Sequence, residues 1–372
     1  MANKLAFLKN RVLLIVYFFI QTILVHGQQS KIVGTGRGAR MEKISNDVYA
    51  IIHEDATDEW PHSNTGVIIG KDAVMVIDAC YLPSMAMEDI KLIRSVTNKP
   101  VKYMAYTHWH FDHTNGSIVY RDSFPNIRFI SEKNSAKFIE LNAVWWAKRS
   151  IADSSSKRQS LATLISRLNN PTDSSTNVLT DQEILRLREV ISKRQGELAE
   201  LATLKVIKPD YLFEDSLSID LGNRKVYLID RGKANSPHDV TIYIPNEKIL
   251  FTGDILVQSP LPYCGACWPV PWVEVLKDLE KIPVNAMVPG HGPVLYDHSY
   301  TRMVREFLES LIKKVEALIW QGKTIEQVQA TINMDEFRKG PWHESNKAAN
   351  DDWIINLQTI IERVWRGIRG QG

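Results

Sequence analysis

The chain has 372 residues, enough for one large domain or two modest ones. Hydrophobic residues make up 44% of it and charged residues 24%, as is ordinary for a globular protein. The formal net charge is only +2, and losing Lys4, Lys9 and Arg11 with a leader would bring it to −1. We therefore expect neither a nucleic-acid partner nor an acidic membrane partner.

Residues 1–27 have the pattern of a secretory signal peptide. Three basic residues precede an apolar run at residues 12–20, and Val25 and Gly27 are small residues before a cut at Gln28. The apolar run is short for a membrane span, so a cleaved leader is favoured over an uncleaved anchor. We expect an exported protein, periplasmic or secreted, with no stable membrane insertion.

Three cysteines are present, and two of them are close together. Cys264 and Cys267 form a CxxC, for which a local disulfide is the plain expectation in an oxidising compartment. Cys80 ends an apolar run and is expected to be a buried thiol.

After a polar, Gly-rich lead-in over residues 28–44, the chain alternates between strand and helix patterns, which indicates an α/β domain over residues 45–300. Helices are predicted at 85–96 and 116–121. Strands are predicted at 48–53, 64–69, 74–78, 101–106 and 128–131, and again at 211–213, 216–221, 225–230, 240–244 and 248–251.

Two segments are helical throughout. Residues 134–204 predict a helical insertion, with helices at 135–149 and 156–168 and a third that Thr180 and Glu183 open as a capping box. This insertion is either a wall or lid over a site or surface decoration, and the sequence leaves both open. Residues 301–372 predict a helical extension packed on the domain, with Thr324 as one N-cap.

The densest cluster of polar side chains follows the predicted strand at 101–106. His108, His110, Asp112 and His113 fall within six positions, so three of the chain's ten histidines lie in one turn. Burying them is costly unless a cation compensates, and zinc prefers nitrogen and carboxylate ligands. The spacing suggests two nitrogens for one ion and a carboxylate with a nitrogen for a second.

Three further candidate ligands stand at strand ends. His238 precedes the strand at 240–244, Asp254 follows the strand at 248–251, and His291 follows an apolar run. Each is weak alone, since such residues are common in turns. In this order after His-x-His-x-Asp-His they form a strong pattern.

With these motifs, the sequence resembles the metallo-β-lactamase superfamily over most of residues 45–300, most closely its exported β-lactamase-like or quinoprotein-relay zinc hydrolases. The resemblance implies a four-layer αββα sandwich with two zinc ions. It assigns His108, His110 and His238 to the first metal, and Asp112, His113 and His291 to the second. Asp254 would be the bridging carboxylate, where one branch of zinc β-lactamases has Cys.

The same resemblance implies hydrolysis of a small-molecule ester, amide or lactam by a zinc-activated hydroxide, with Asp112 as the catalytic residue that orients it. Thioester hydrolysis of the glyoxalase-II type is an alternative. A mono-iron oxygenase like persulfide dioxygenase shares the loop and is a second alternative, whereas di-iron members carry Glu in place of His110. A structural zinc site is disfavoured because such sites are rich in Cys.

Overall fold

The structure, a computed structural model, describes residues 33–34, 39–53, 62–170, 179–205, 207–258, 261, 264–339, 342 and 347–371. The predicted signal peptide lies outside the described residues. Within them, none of the helices combines the length and the apolar character needed to cross a bilayer.

One sheet has eight strands that follow one another in chain order. Neighbouring strands from β1 to β5 are antiparallel, and those from β5 to β8 are parallel. The strands are β1 (Val33–Gly34), β2 (Arg40–Ser45), β3 (Val48–Ile52), β4 (Thr65–Ile69), β5 (Val74–Ile77), β6 (Val101–Ala105), β7 (Arg128–Glu132) and β8 (Tyr211–Phe213).

The second sheet has five strands, which are antiparallel except for the parallel pair β12 and β13. They are β9 (Ser216–Asp220), β10 (Lys225–Asp230), β11 (Val240–Ile244), β12 (Ile249–Val257) and β13 (Ala286–His291). The nine helices among the described residues are α1 (Pro83–Val96), α2 (Phe111–Thr114), α3 (Ser117–Ser123), α4 (Lys133–Asn169), α5 (Asp181–Leu201), α6 (Pro269–Leu279), α7 (Ser299–Trp320), α8 (Ile325–Thr331) and α9 (Lys347–Ile368).

Strand alternation divides the apolar side chains among three layers. In β5, Val74 and Val76 pack with α1 and α3 on the outer face, whereas Met75 and Ile77 face the second sheet. On the second sheet, Met287 likewise faces α6, α7 and α9. Because both faces of each sheet are covered, the molecule is the predicted four-layer αββα sandwich.

The helical insertion differs from the prediction in one respect. Two helices were expected between residues 135 and 168, but α4 runs without a break from Lys133 to Asn169. No proline or glycine stands in the intervening segment 150–155, so nothing there ends the helix. The capping box of Thr180 and Glu183 is confirmed at the start of α5.

Two further local predictions are confirmed. Thr324 caps α8, with its hydroxyl accepting a hydrogen bond from the backbone N–H of Gln327. Cys264 and Cys267 form a disulfide, and Cys80 is a fully buried free thiol.

Candidate metal centre

The side chains of the candidate centre come from both sheets. His108 and His110 follow β6, and Asp112 and His113 lie on the single turn of α2 that comes next. Asp254 lies within β12, just after Gly253, where the register of the β12–β13 pair shifts. Gly253 has a φ of 51°, a left-handed conformation that favours glycine and lets the strand bulge towards the first sheet.

A first group consists of His108, His110 and Asp254. The ring nitrogens His108 Nε2 and His110 Nδ1 are 2.8 Å apart. Asp254 Oδ2 lies 3.5 Å from the first of these nitrogens and 3.9 Å from the second. Three potential ligand atoms therefore face one point.

A second group consists of Asp112, His113, Asp254 and His291, the residue that ends β13. His113 Nε2 lies 3.1 Å from Asp254 Oδ1 and 3.5 Å from Asp112 Oδ2. His291 Nε2 lies 3.1 Å from Asp112 Oδ2 and 3.4 Å from Asp254 Oδ1. Asp254 thus contributes one oxygen to each group.

These two groups fit cations. Zinc bonds of about 2.0–2.1 Å in a tetrahedron place neighbouring ligand atoms about 3.3 Å apart, close to the spacings found here. The six side chains are buried, and His113 Nε2 and Asp254 Oδ1 have no hydrogen-bond partner. Buried polar atoms without partners are costly, and a cation between them would supply the missing interaction.

The charges at the centre show how strongly these residues interact. Burial works to lower the pKa of His113, but the Asp254 and Asp112 carboxylates outweigh it and hold that pKa well above its ordinary value. Burial works to raise the pKa of Asp254, yet the imidazoles of His113, His291 and His108 hold it well below its usual range. Without a metal, protons on histidine compensate the carboxylates, so metal binding is expected to release protons.

Asp78, which the sequence reasoning missed, orients His113. Its Oδ2 accepts hydrogen bonds from His113 Nδ1 at 2.8 Å and from the Thr107 hydroxyl at 2.7 Å. Its Oδ1 accepts one from the Thr107 backbone N–H at 2.8 Å. Because Nδ1 donates to this carboxylate, His113 presents Nε2 to the centre. An aspartate directly after the buried strand β5 was the signal available in the sequence.

The structure places His238 in neither of these two groups, whereas the resemblance implies that it joins His108 and His110 at the first metal. Its Nδ1 lies 2.9 Å from Asp230 Oδ2 and 3.7 Å from Glu132 Oε2, at the ends of β10 and β7. Its side chain is 28% exposed. In the described residues, Asp254 takes the third place beside His108 and His110.

The neighbouring residue Asp239, which the sequence pattern does not single out, turns inward instead. It is buried, its Oδ2 accepts a hydrogen bond from the Ser236 backbone N–H at 2.7 Å, and its Oδ1 has no partner. Burial raises the pKa of Asp239 to about 7, with smaller electrostatic effects from His110 and Asp254. The signal in the sequence is its position directly before β11 and next to His238.

Comparison with known proteins shows which family the sequence matches. The model of the Metallo-beta-lactamase superfamily matches residues 58–322. A linear primary-alkylsulfatase from Pseudomonas sp. (strain ATCC 19151) is 23% identical over 232 residues, which is 61% of this chain and 40% of the relative.

Solved structures share the fold. The stereoselective inverting sec-alkylsulfatase Pisa1 from Pseudomonas sp. aligns with a TM-score of 0.60 and 15% identity, covering 88% of this chain and 49% of that one. The DIM-1 metallo-beta-lactamase aligns with a TM-score of 0.50 and 15% identity, covering 73% of this chain and 97% of that one. The chain therefore spans about half or less of the length of the two sulfatases.

Proposed function

Because this chain belongs to the metallo-beta-lactamase superfamily, we propose that it is a hydrolase that depends on two zinc ions. The observation that carries the proposal is the pair of buried ligand groups that share Asp254. The first group has three protein ligands and the second has four. A catalytic zinc site keeps a position for water or substrate, and the three-ligand group leaves room for one.

The bound cations would supply Lewis acidity and a lowered pKa for water. The residues of the chain then have separate tasks. Asp254 contributes one oxygen to each group and so fixes their relative position. Asp78 holds His113 in one orientation. Asp112 directs Oδ2 towards His113 and His291. We assign its Oδ1 to accepting a hydrogen bond from the attacking water, which makes Asp112 the proposed catalytic residue.

The substrate belongs to the same proposal. The bond cleaved is of the ester, amide or lactam kind, and similarity to a linear primary-alkylsulfatase favours a sulfate ester on an alkyl chain. A β-lactam is the second candidate, supported by the fold shared with a metallo-beta-lactamase over nearly all of that enzyme. We also propose export, on the signal-peptide pattern of residues 1–27.

The test is a substrate panel on the zinc-loaded protein that starts at Gln28. The panel contains a primary alkyl sulfate below its micelle concentration, a chromogenic β-lactam, a lactone and a thioester. We expect hydrolysis of at least one, lost after chelation and restored by zinc. Oxygen consumption by an iron-loaded sample with a persulfide substrate would instead support the oxygenase alternative. No turnover in any zinc-loaded assay would contradict the proposal.

A further inference from the structure

Ser63 and Asn64 lie just before β4 and between the two loops that carry ligands of the second group. Neither belongs to the centre itself, and both are buried. Asp112 lies on the segment that follows β6 of the first sheet. His291 is the last residue of β13 in the second sheet, and the other loop continues from it. These two ligands approach to 3.1 Å, although among the described strands no pairing joins their two sheets.

Asn64 holds the loop of His291 by three hydrogen bonds. Its backbone N–H donates to the Gly290 carbonyl at 2.7 Å. Its side-chain Nδ2 donates to the carbonyls of Pro289 at 2.9 Å and Gly292 at 2.8 Å. Both side-chain N–H groups are thus used, on carbonyls that flank His291 on either side. A side chain without two donors would remove at least one of these two hydrogen bonds, of which the one to Pro289 is buried.

Ser63 holds the other loop. Its hydroxyl donates to the backbone carbonyl of Asp112 at 2.6 Å. Its own carbonyl accepts a hydrogen bond from His53 Nδ1 at 2.6 Å, and His53 Nε2 is 2.9 Å from Asp89 Oδ1. Asp89 Oδ2 in turn accepts from the Thr65 hydroxyl at 2.9 Å. Buried hydrogen bonds therefore hold Ser63 on one side to the Asp112 loop and on the other side to His53 and, through it, Asp89.

We propose that Ser63 and Asn64 are positioning residues that fix the separation of Asp112 and His291, and so set the affinity of the second ligand group for its cation. The inference rests on the proposed metal centre, since it assigns a task within it. Ligand geometry must be held within about 0.5 Å for tight binding, and supporting hydrogen bonds typically change metal affinity 10- to 100-fold. The first group has no hydrogen bond to either residue and should be affected much less.

The experiment is a zinc titration against a competing chelator, which resolves two binding steps. A His291→Ala variant identifies the step that belongs to the second group. For Asn64→Ala we expect that step to weaken about 10-fold or more, and the other by less than about 3-fold. Ser63→Ala should weaken the same step, and it provides an independent test if Asn64→Ala does not fold.

Asn285→Ala is the matched control, because the Asn285 amide also donates to a backbone carbonyl, that of Glu247, but at an exposed site. It should leave both steps unchanged. Equal weakening of both steps in Asn64→Ala and Ser63→Ala, or no weakening of either, would overturn the inference while the metal centre stands. A wild-type protein that binds no zinc would overturn the proposed function and this inference together.

Discussion

Substitution of Asp112 should have a different effect from substitution of Asp254, the other carboxylate of the centre. Asp254 serves both ligand groups, whereas Asp112 serves only the second. In that group, His113, Asp254 and His291 remain if Asp112 loses its charge. The proposed role of Asp112 in orienting water is therefore separable from the integrity of the centre.

For Asp112→Asn we expect turnover on the substrate found in the panel to fall by about 100-fold or more, because the amide is a poor proton acceptor. The far-UV circular dichroism should not change, since the two side chains have nearly the same shape. Asp122→Asn, on the exposed side of α3, is the control and should keep full activity. Wild-type rates in Asp112→Asn would rule out its proposed role.

The raised pKa of Asp239 predicts how the stability of the metal-free protein changes with pH. Burial raises its pKa to about 7 in the folded state, against about 3.9 in the unfolded chain. The folded state therefore binds more protons between these values, and stability falls as pH rises through that window. Relative to Asp239→Asn, the wild type should lose on the order of 2 kcal/mol of unfolding free energy between pH 5 and pH 8.

Urea unfolding in the presence of a chelator measures this difference. The raised pKa values of His113 and His291 also favour the folded state at low pH, but both proteins contain them, so their effect largely cancels. Parallel stability profiles for wild type and Asp239→Asn would show that the Asp239 carboxyl is not held as described.

The ligands that share one loop were readable from the sequence, and those from separate loops were readable only in part. His108 to His113 lie in six consecutive positions, so a single turn brings them together. The choice between His238 and Asp239 depends on which side chain the turn before β11 directs inward, and that depends on tertiary contacts. Asp78 was missed because its role is a hydrogen bond to a ligand 35 positions away.

The close approach of β13 to β12 makes Gly290 a sensitive position. A Cβ atom there would lie 1.9 Å from Asp254 Oδ1, the atom shared with His113 and His291. We expect Gly290→Ala to displace this carboxylate and to lose zinc from both groups, as measured by metal analysis after dialysis.

Gly196→Ala is the control for this glycine. Apart from its chain neighbours and the backbone of its own helix, no atom lies within 4 Å of a Cβ at position 196 in α5, so the variant should keep its zinc and gain about 0.5–1 kcal/mol of stability. Full zinc occupancy in Gly290→Ala would contradict the described packing of β12 against β13.

The C-terminal helix α9 contributes to the outer layer over the second sheet. Ile361 is fully buried there among α6, α7 and α8, whereas Ile355 on the same helix is 63% exposed. Ile361→Ala should lower the unfolding free energy by about 2–5 kcal/mol. Ile355→Ala should change it by less than about 0.5 kcal/mol. Equal effects in urea unfolding would show that α9 does not pack on this face.

Element types were predictable where periodicity and caps agreed. The predicted capping box of Thr180 and the predicted N-cap Thr324 mark helix starts that the structure confirms. The break expected within α4 was wrong because serines and a charged residue lower helix propensity only slightly, unlike proline or glycine. Local composition does not decide such a case, and α4 also contacts α5.

At the level of the molecule, the sandwich explains why ligands distant in sequence can meet. Side chains from both sheets meet at one edge, where Asp254, within β12 of the second sheet, faces the loop after β6 of the first. Periodicity alone does not specify how two sheets pack. The four-layer architecture was therefore predictable only from the resemblance of the ligand motifs to those of the family. The boundaries of the insertion and of the C-terminal extension stay predictions, as does export.

The central claim is that Asp254 joins two cation sites in one centre, and zinc content per chain tests it most directly. After zinc loading and dialysis, the wild type should hold about two zinc ions per chain. Asp254→Ala, which removes an oxygen from each group, should hold fewer than one. A wild type without bound zinc, or an Asp254→Ala variant that keeps two, would contradict the account.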